Sequence, residues 1–327
     1  MAHCIETNDK QEGVEQAWHG LTVIRPDLST DNCWLNTWDV VVHPLLFADG
    51  GKTPFFAFRA NDDPKIVVGK AFAESYEPIT NAVFLEIIRE SLIGTDHRLV
   101  SCGSVCNRGR IFASFQIQNL EKFNAGGREF DPFLNFGTSH DGSCVFYANT
   151  SNICTVCNNT FSANLRIKGR GINARVKHTK NAPMRLQNVA QIIEAAIGVQ
   201  AEFANAFSEF EKQKIDKRKA ENLFAGFLIG GKEVEKISTR TVNTVAELTN
   251  LFARGPGNRG ESLADAFSAV TDYYTHESSG GTNRLKQFTS SEFGSGNDKK
   301  QEFFSLLQNP AKVEKVMSRG KAVLELV

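Results

Sequence analysis

Thirty consecutive residues, Phe161 to Ala190, contain no aspartate and no glutamate, in a chain of 327 residues that has 37 acidic residues in all. Other absences exclude whole function classes. There is no G-x-x-x-x-G-K-[ST], no G-x-G-x-x-G and no G-x-S-x-G, which argues against an NTPase, a dinucleotide enzyme and an α/β-hydrolase. The seven histidines are scattered, with no H-E-x-x-H and no H-x-H, so the pattern gives none of them a metal or acid–base role. No stretch approaches the ~20 apolar residues of a membrane helix. The first residues, Met1-Ala-His-Cys-Ile-Glu, lack the basic-then-apolar layout of a signal peptide. A cytoplasmic protein with its seven cysteines reduced is therefore expected. Tyrosine and tryptophan are scarce, 4 and 3 against 25 phenylalanines. Much of that phenylalanine has to be core, and some is available to stack on bases.

What the acid-free window holds is Arg166, Lys168, Arg170, Arg175, Lys177, Lys180 and Arg185, with His178 among them. The whole chain balances 37 basic against 37 acidic residues, so the window carries +7 and everything else −7. Such concentration in a neutral protein points to an anionic partner. Nucleic acid leads, because phosphate binding needs Lys and Arg gathered on one surface rather than a high overall pI. Gly169 and Gly171 would let the backbone approach a ligand closely. A solvated loop or a subunit contact is the competing reading of the same run.

Periodicity predicts an α+β chain, with a β-rich region over 1–182 ending in the basic segment and a helical region over 183–327. Trp18, Trp34 and Trp38 anchor an irregular first segment onto the core. Trp38 to Pro44 reads as a strand ended by the proline, and Phe55–Arg59 and Lys65–Gly69 as strands about the turn Asn61-Asp-Asp-Pro. Pro78 to Ile93 has helical spacing. Leu99–Cys106 and Arg110–Ile117 form a hairpin across Asn107-Arg-Gly. Glu129–Phe136 and Cys144–Ala148 form a second, joined by Ser139-His-Asp-Gly. A long helix is expected from Met184 to Lys219, as core or as an oligomer contact. Gly255–Gly260 breaks the chain, Ser262 caps a helix to His276, and a last helix covers Lys299–Leu307.

Cys154 and Cys157, with Cys102 and Cys106 upstream, are four sulfurs of the kind zinc takes. In a strand, however, residues four apart lie ~13 Å apart, a poor chelate. Buried reduced cysteines are the preferred reading, and no cofactor is expected. Asp62 with Asp63, or His140 with Asp141, would suit a nuclease, but both read first as turn residues. If the basic segment folds back along the sheet, its cations meet Arg108, Arg110 and Lys70 beside exposed phenylalanines. That is the composition of a sequence-tolerant single-strand groove.

Several segments resemble, in order, a family of uncharacterised phage- and plasmid-borne proteins. They are Ala17-Trp-His-Gly-Leu, Val68 to Asn81, Cys157-Asn-Asn-Thr with His178-Thr, and Gly260 to His276 followed by Asn283-Arg and Phe293-Gly-Ser-Gly. Thr80 stands where the family has Gln, and the aromatic expected around Leu263–Ala266 is missing. The resemblance implies a mobile-element origin. The strand–strand–helix core is also similar in outline to the Rad52-like single-strand annealing proteins, an analogy at the level of fold. It implies an ATP-independent protein, ring- or filament-forming, that holds single-stranded DNA by its backbone and lets complementary strands pair. Arg166, Lys168, Arg170, Arg175, Lys177 and Lys180 are then the expected phosphate contacts, with Arg110 and Arg185 beside them. A host-protein-binding factor using the same patch, and a metal-dependent nuclease, are the alternatives.

Overall fold

The structure is a computed structural model, and it describes residues 11–13, 23–73, 75–117, 123–154, 160–163, 174–176, 189–231, 237–278, 290–291 and 294–326. The strands are β1 (Gln11–Gly13), β2 (Val23–Ile24), β3 (Val40–Leu46), β4 (Lys52–Ala60), β5 (Val67–Ala73), β6 (His97–Val105), β7 (Arg110–Ile117), β8 (Phe123–Ala125), β9 (Arg128–Ser139), β10 (Phe146–Cys154), β11 (Thr160–Ala163) and β12 (Ala174–Val176). Helix α1 (Asn81–Ser91) lies among them. Then come α2 (Val189–Lys212), α3 (Lys217–Ile229), α4 (Thr239–Arg254), α5 (Leu263–Asp272), α6 (Ser295–Leu307) and α7 (Pro310–Leu324). The chain is α+β, with strands in the first half and most helices in the second. Among the described residues no helix is long and apolar enough to cross a membrane.

The large sheet runs β11-β10-β9-β7-β6-β1-β2, with β12 also on β10 and β8 also on β9. Its neighbouring long strands are antiparallel, so apolar residues two apart line one face. Ile111, Ala113 and Phe115, Leu134 and Phe136, and Phe146 and Ala148 form that face and share a core with Phe84, Leu85 and Ile88 of α1. Trp34 and Trp38 close the same core, as expected; Trp18 lies outside the described residues. The other face is mixed: buried Phe112 and Phe133 share it with Ser114, Asn135 and Ser151, and Asn135 donates to the Ser151 hydroxyl at 2.8 Å.

A smaller sheet, β3-β4-β5, packs Phe58 and Val68 onto this core. Here the structure corrects the expectation at Pro44. The strand runs through the proline to Leu46, with Pro44 opposite Phe56 and a register irregularity just beyond it. β3 is an edge strand, where the missing N–H is tolerated.

The helical half has its own core, built from Phe203, Phe207, Phe210, Phe224, Phe252, Phe267, Phe303 and Phe304. Ala125 and Phe130, from β8 and β9, reach into it. Arg128 and Asp265 form a buried ion pair between the strand and helix regions. The Arg128 guanidinium also donates to Asn258 at 2.9 Å and lies over the Phe207 ring at 5.6 Å. The helix expected from Met184 to Lys219 is two helices, with residues 184–188 outside the described set. The chain leaves helix at Gln213 because it pairs with another segment: Ile215 N–H donates to Glu261 O at 3.0 Å and Leu263 N–H to Gln213 O at 3.0 Å. Asp216 then caps α3, accepting from Lys219 N–H at 2.8 Å. Ser262 caps α5, as expected, in a capping box with Asp265. Helices α4 and α7 were not anticipated as separate elements.

Candidate nucleic-acid interface

The β6–β7 turn, Cys106 to Gly109, is unusual. Cys106, Asn107 and Arg108 have φ of 60°, 53° and 65°, three successive non-glycine residues in the left-handed region. Each costs roughly 1 kcal/mol or more, so the surroundings have to hold the turn in place. Arg108 does this through partners outside the hairpin. Its guanidinium lies 5.1 Å from the Trp34 ring centroid and 4.8 Å from that of Trp38, and pairs with Asp62 at 2.5 Å. The backbone contributes as well: the Gly109 carbonyl accepts from His140 N–H at 2.7 Å and Asp141 N–H at 3.2 Å. Cys106 therefore lies in the turn, off the strand that was expected to carry it.

The Ser139–Ser143 loop is in turn held by the segment Val68 to Asn81. A Cβ on Gly69 would stand 2.4 Å from the His140 carbonyl oxygen, so only glycine fits there. The Tyr76 hydroxyl donates to Ser139 O at 3.3 Å, and burial raises its pKa above the ordinary tyrosine value. Asn81 Nδ2 donates to the carbonyls of Leu35 and Trp38 at 3.2 and 2.9 Å. That orientation leaves Asn81 Oδ1 to accept from fully buried His140 at Nε2, 2.9 Å away. Burial also pushes the Cys144 thiol up.

Arg110 opens β7 beside this loop. Its Nε donates to the Ser143 hydroxyl at 2.7 Å, and Asp141 accepts from Ser143 N–H at 2.8 Å and from its hydroxyl. Among the described residues no hydrogen bond or ion pair reaches its two terminal nitrogens. The guanidinium is half-buried, fixed at one nitrogen and open at its fork, the part that grips phosphate oxygens.

The register relates Arg110 to the basic segment. Phe112, Gly137, Tyr147 and Arg175 occupy one row across β7, β9, β10 and β12. Arg175 is thus three strand spacings from Phe112, about 14 Å. Arg110 is two residues from that row. Half-buried Tyr147 lies flat across Gly137, where an added Cβ would meet its ring within 2.2 Å. β11 and β12 extend the same edge of β10 in line: Ala163 is opposite Thr150 and Ala174 opposite Ala148. The ladder has one residue, Asn149, to match ten residues of chain between them. Three predicted contacts, Arg166, Lys168 and Arg170, belong to those ten. They lie outside the described residues, as do Lys177, Lys180 and Arg185. Of the predicted site the structure thus describes Arg110 and the backbone of Arg175. Arg108 is spent on the fold, and of Lys70 only the backbone in β5 is described.

Carboxylates near this end are engaged internally. Asp62 holds Arg108, and Asp63 accepts from Lys65 N–H at 3.0 Å. Among the described residues no group of three or more His, Cys, Asp or Glu is placed to hold a metal ion. The Cys154 side chain and Cys157 lie outside them.

A separate polar cluster lies in the helical half. Helix α5 passes into a π-helical turn, Tyr273–Glu277. Fully buried Lys300 donates to Ser291 at 3.0 Å, and His276 stands 3.9 Å from Asp272. Burial raises the Asp272 carboxyl to about 6 and lowers the His276 imidazole to about 4.

The family described as Domain of unknown function (DUF932) matches residues 70–305. The chain belongs to the DUF932 family. No curated protein and no solved structure matches it. The DUF932 match begins inside β5 and ends inside α6, so it takes in Arg110, the His140 loop and the whole basic segment. Trp34, Trp38 and Asp62, which hold the β6–β7 turn, precede it. Sequence reasoning did not find these partners, since Asp62 and Arg108 are 46 residues apart and nothing local couples them.

Proposed function

We propose that this protein binds single-stranded DNA through its phosphate backbone and anneals complementary strands without ATP. In this reading it acts in a host cytoplasm on behalf of a phage or plasmid and works as a homo-oligomeric ring or filament. The observation that carries the reading is Arg110, anchored at Nε by Ser143 with its fork open, at the end of the sheet where the basic segment rejoins through β12. Aromatic Tyr147 in the Arg175 row adds a stacking surface. The resemblance to mobile-element proteins and the analogy with Rad52-like annealing proteins agree with it, as analogy only.

The test is fluorescence anisotropy with a labelled single strand of ~40 nucleotides over a salt series, with duplex as competitor. Binding should favour the single strand and weaken steeply with salt. Each lost phosphate contact should lower the salt slope by about 0.7. Charge reversal at Lys168, Arg170 and Lys177 together should therefore flatten it by about 2. Unchanged affinity in that variant would overturn the assignment, and the basic segment would then be a protein-contact surface.

A further inference from the structure

The outward face of the small sheet is built from residues that pair directly in register. Val41 is opposite Arg59, Arg59 opposite Val67, His43 opposite Ala57 and Phe55 opposite Ala73. Val41 and Phe55 are 39% and 44% exposed, unusual for large apolar side chains on a sheet with one face already in the core. Arg59 is half-buried, and its Nε is buried with no hydrogen-bond partner. Leaving that nitrogen unmet is costly. The two terminal nitrogens are not buried, no hydrogen bond or ion pair among the described residues reaches them, and they are the part a ligand can meet.

The local charges say which ligand. Between Val40 and Ala73 there are three carboxylates, and among the described residues none pairs with Arg59: Asp62 pairs with Arg108, while Asp49 and Asp63 accept from Gly51 N–H at 2.9 Å and Lys65 N–H at 3.0 Å in their own turns. The face thus offers a flat aromatic ring and an uncommitted cation to something anionic. The small sheet is tied to the β6–β7 turn through its β4–β5 turn, where Asp62, three residues from Arg59, pairs with Arg108, two residues before Arg110.

We infer that this face is a second strip of the nucleic-acid surface, where an unpaired base of a single strand stacks on Phe55 and Arg59, four residues and ~13 Å along β4, takes a phosphate further along the same strand. This rests on the single-strand reading and names how the strand leaves Arg110. Aromatic platforms on open sheet faces suit unpaired bases, because every base has a π-face whatever its sequence.

The full chain and its Phe55→Ala, Phe55→Trp and Arg59→Ala variants would be titrated with labelled oligothymidine across a salt series, with particle mass recorded alongside. Phe55→Ala should weaken binding about ten-fold with the salt slope unchanged, since stacking releases no counterions. Phe55→Trp should keep the affinity, and its added emission should quench on the strand. Arg59→Ala should lower the slope by about 0.7. If the parent protein binds and all three variants bind identically, the strip is wrong and the single-strand reading stands. If the parent fails to bind at any salt, the reading itself fails. If Phe55→Ala changes particle mass and leaves DNA affinity alone, the face is a contact between protein copies, and the inference is overturned.

Discussion

At the scale of single residues, Asn81 has the most to lose. One buried amide satisfies two carbonyls of the Leu35–Trp38 segment and the imidazole of His140. Asn81→Ala leaves all three unmet in a buried site, so a loss of about 2–3 kcal/mol is expected, read from the urea midpoint at unchanged m. Through the His140 loop the same change should also loosen Ser143 and weaken the hold on Arg110. The pH response belongs at this scale too. Asp272 titrates at about 6 in the fold against an ordinary 3.8, so it disfavours folding above pH 6 and the fold gains stability as pH falls from 6 towards 4. His276 titrates at about 4 against an ordinary 6.5, so the fold loses stability as pH falls over nearly the same range. In the parent chain the two slopes oppose each other. Asp272→Asn removes the compensating one. That variant should be more stable than the parent at pH 7.5 by about 1–2 kcal/mol and should lose that advantage on acidification to pH 4.5, as chemical denaturation at the two pH values would record.

At the scale of elements, local spacing and tertiary pairing disagree in two informative places. The run from Met184 to Lys219 has unbroken helical spacing, yet Gln213 to Ile215 pairs with Glu261 to Leu263 instead. An apolar stripe records which side of a helix is buried; it carries no sign that backbone from far along the chain will take over its hydrogen bonds, as the Glu261 carbonyl does for Ile215 N–H. Pro44 is the second case: proline ends a central strand but is admitted at an edge, and edge position is a property of the sheet. Capping, by contrast, is local and was legible. Ser262→Ala removes the α5 cap and the bond to Glu211, so a loss of about 1–2 kcal/mol is expected in thermal unfolding, with the DNA salt slope unchanged.

At the scale of the whole molecule, Arg128 and Asp265 couple the strand and helix cores. Breaking one partner of a buried pair strands the other charge, so Arg128→Met should cost about 3–5 kcal/mol. Arg128→Met with Asp265→Asn should cost less than the sum of the single changes, because the stranded charge is gone. Emission from Trp34 and Trp38 reports the β core, and far-ultraviolet dichroism is dominated by the helices. In the parent chain the two signals should unfold together, since Phe130 and Ala125 of the strand region are buried in the helical core. Separate midpoints would show that the ion pair does not couple the two.

The sequence by itself determined the α+β order, the two central hairpins, the cap at Ser262 and a cation-rich segment free of acid. All of these depend on neighbours a few residues apart, where periodicity, turn chemistry and charge counts act directly. Only the tertiary structure decided that Arg108 is consumed by Trp34, Trp38 and Asp62, while Arg110, two residues on, keeps an open fork. Nothing in the neighbouring residue types says which of these two arginines, one in the turn and one opening β7, will be consumed. The difference is made by which distant groups the fold brings within hydrogen-bond reach of each.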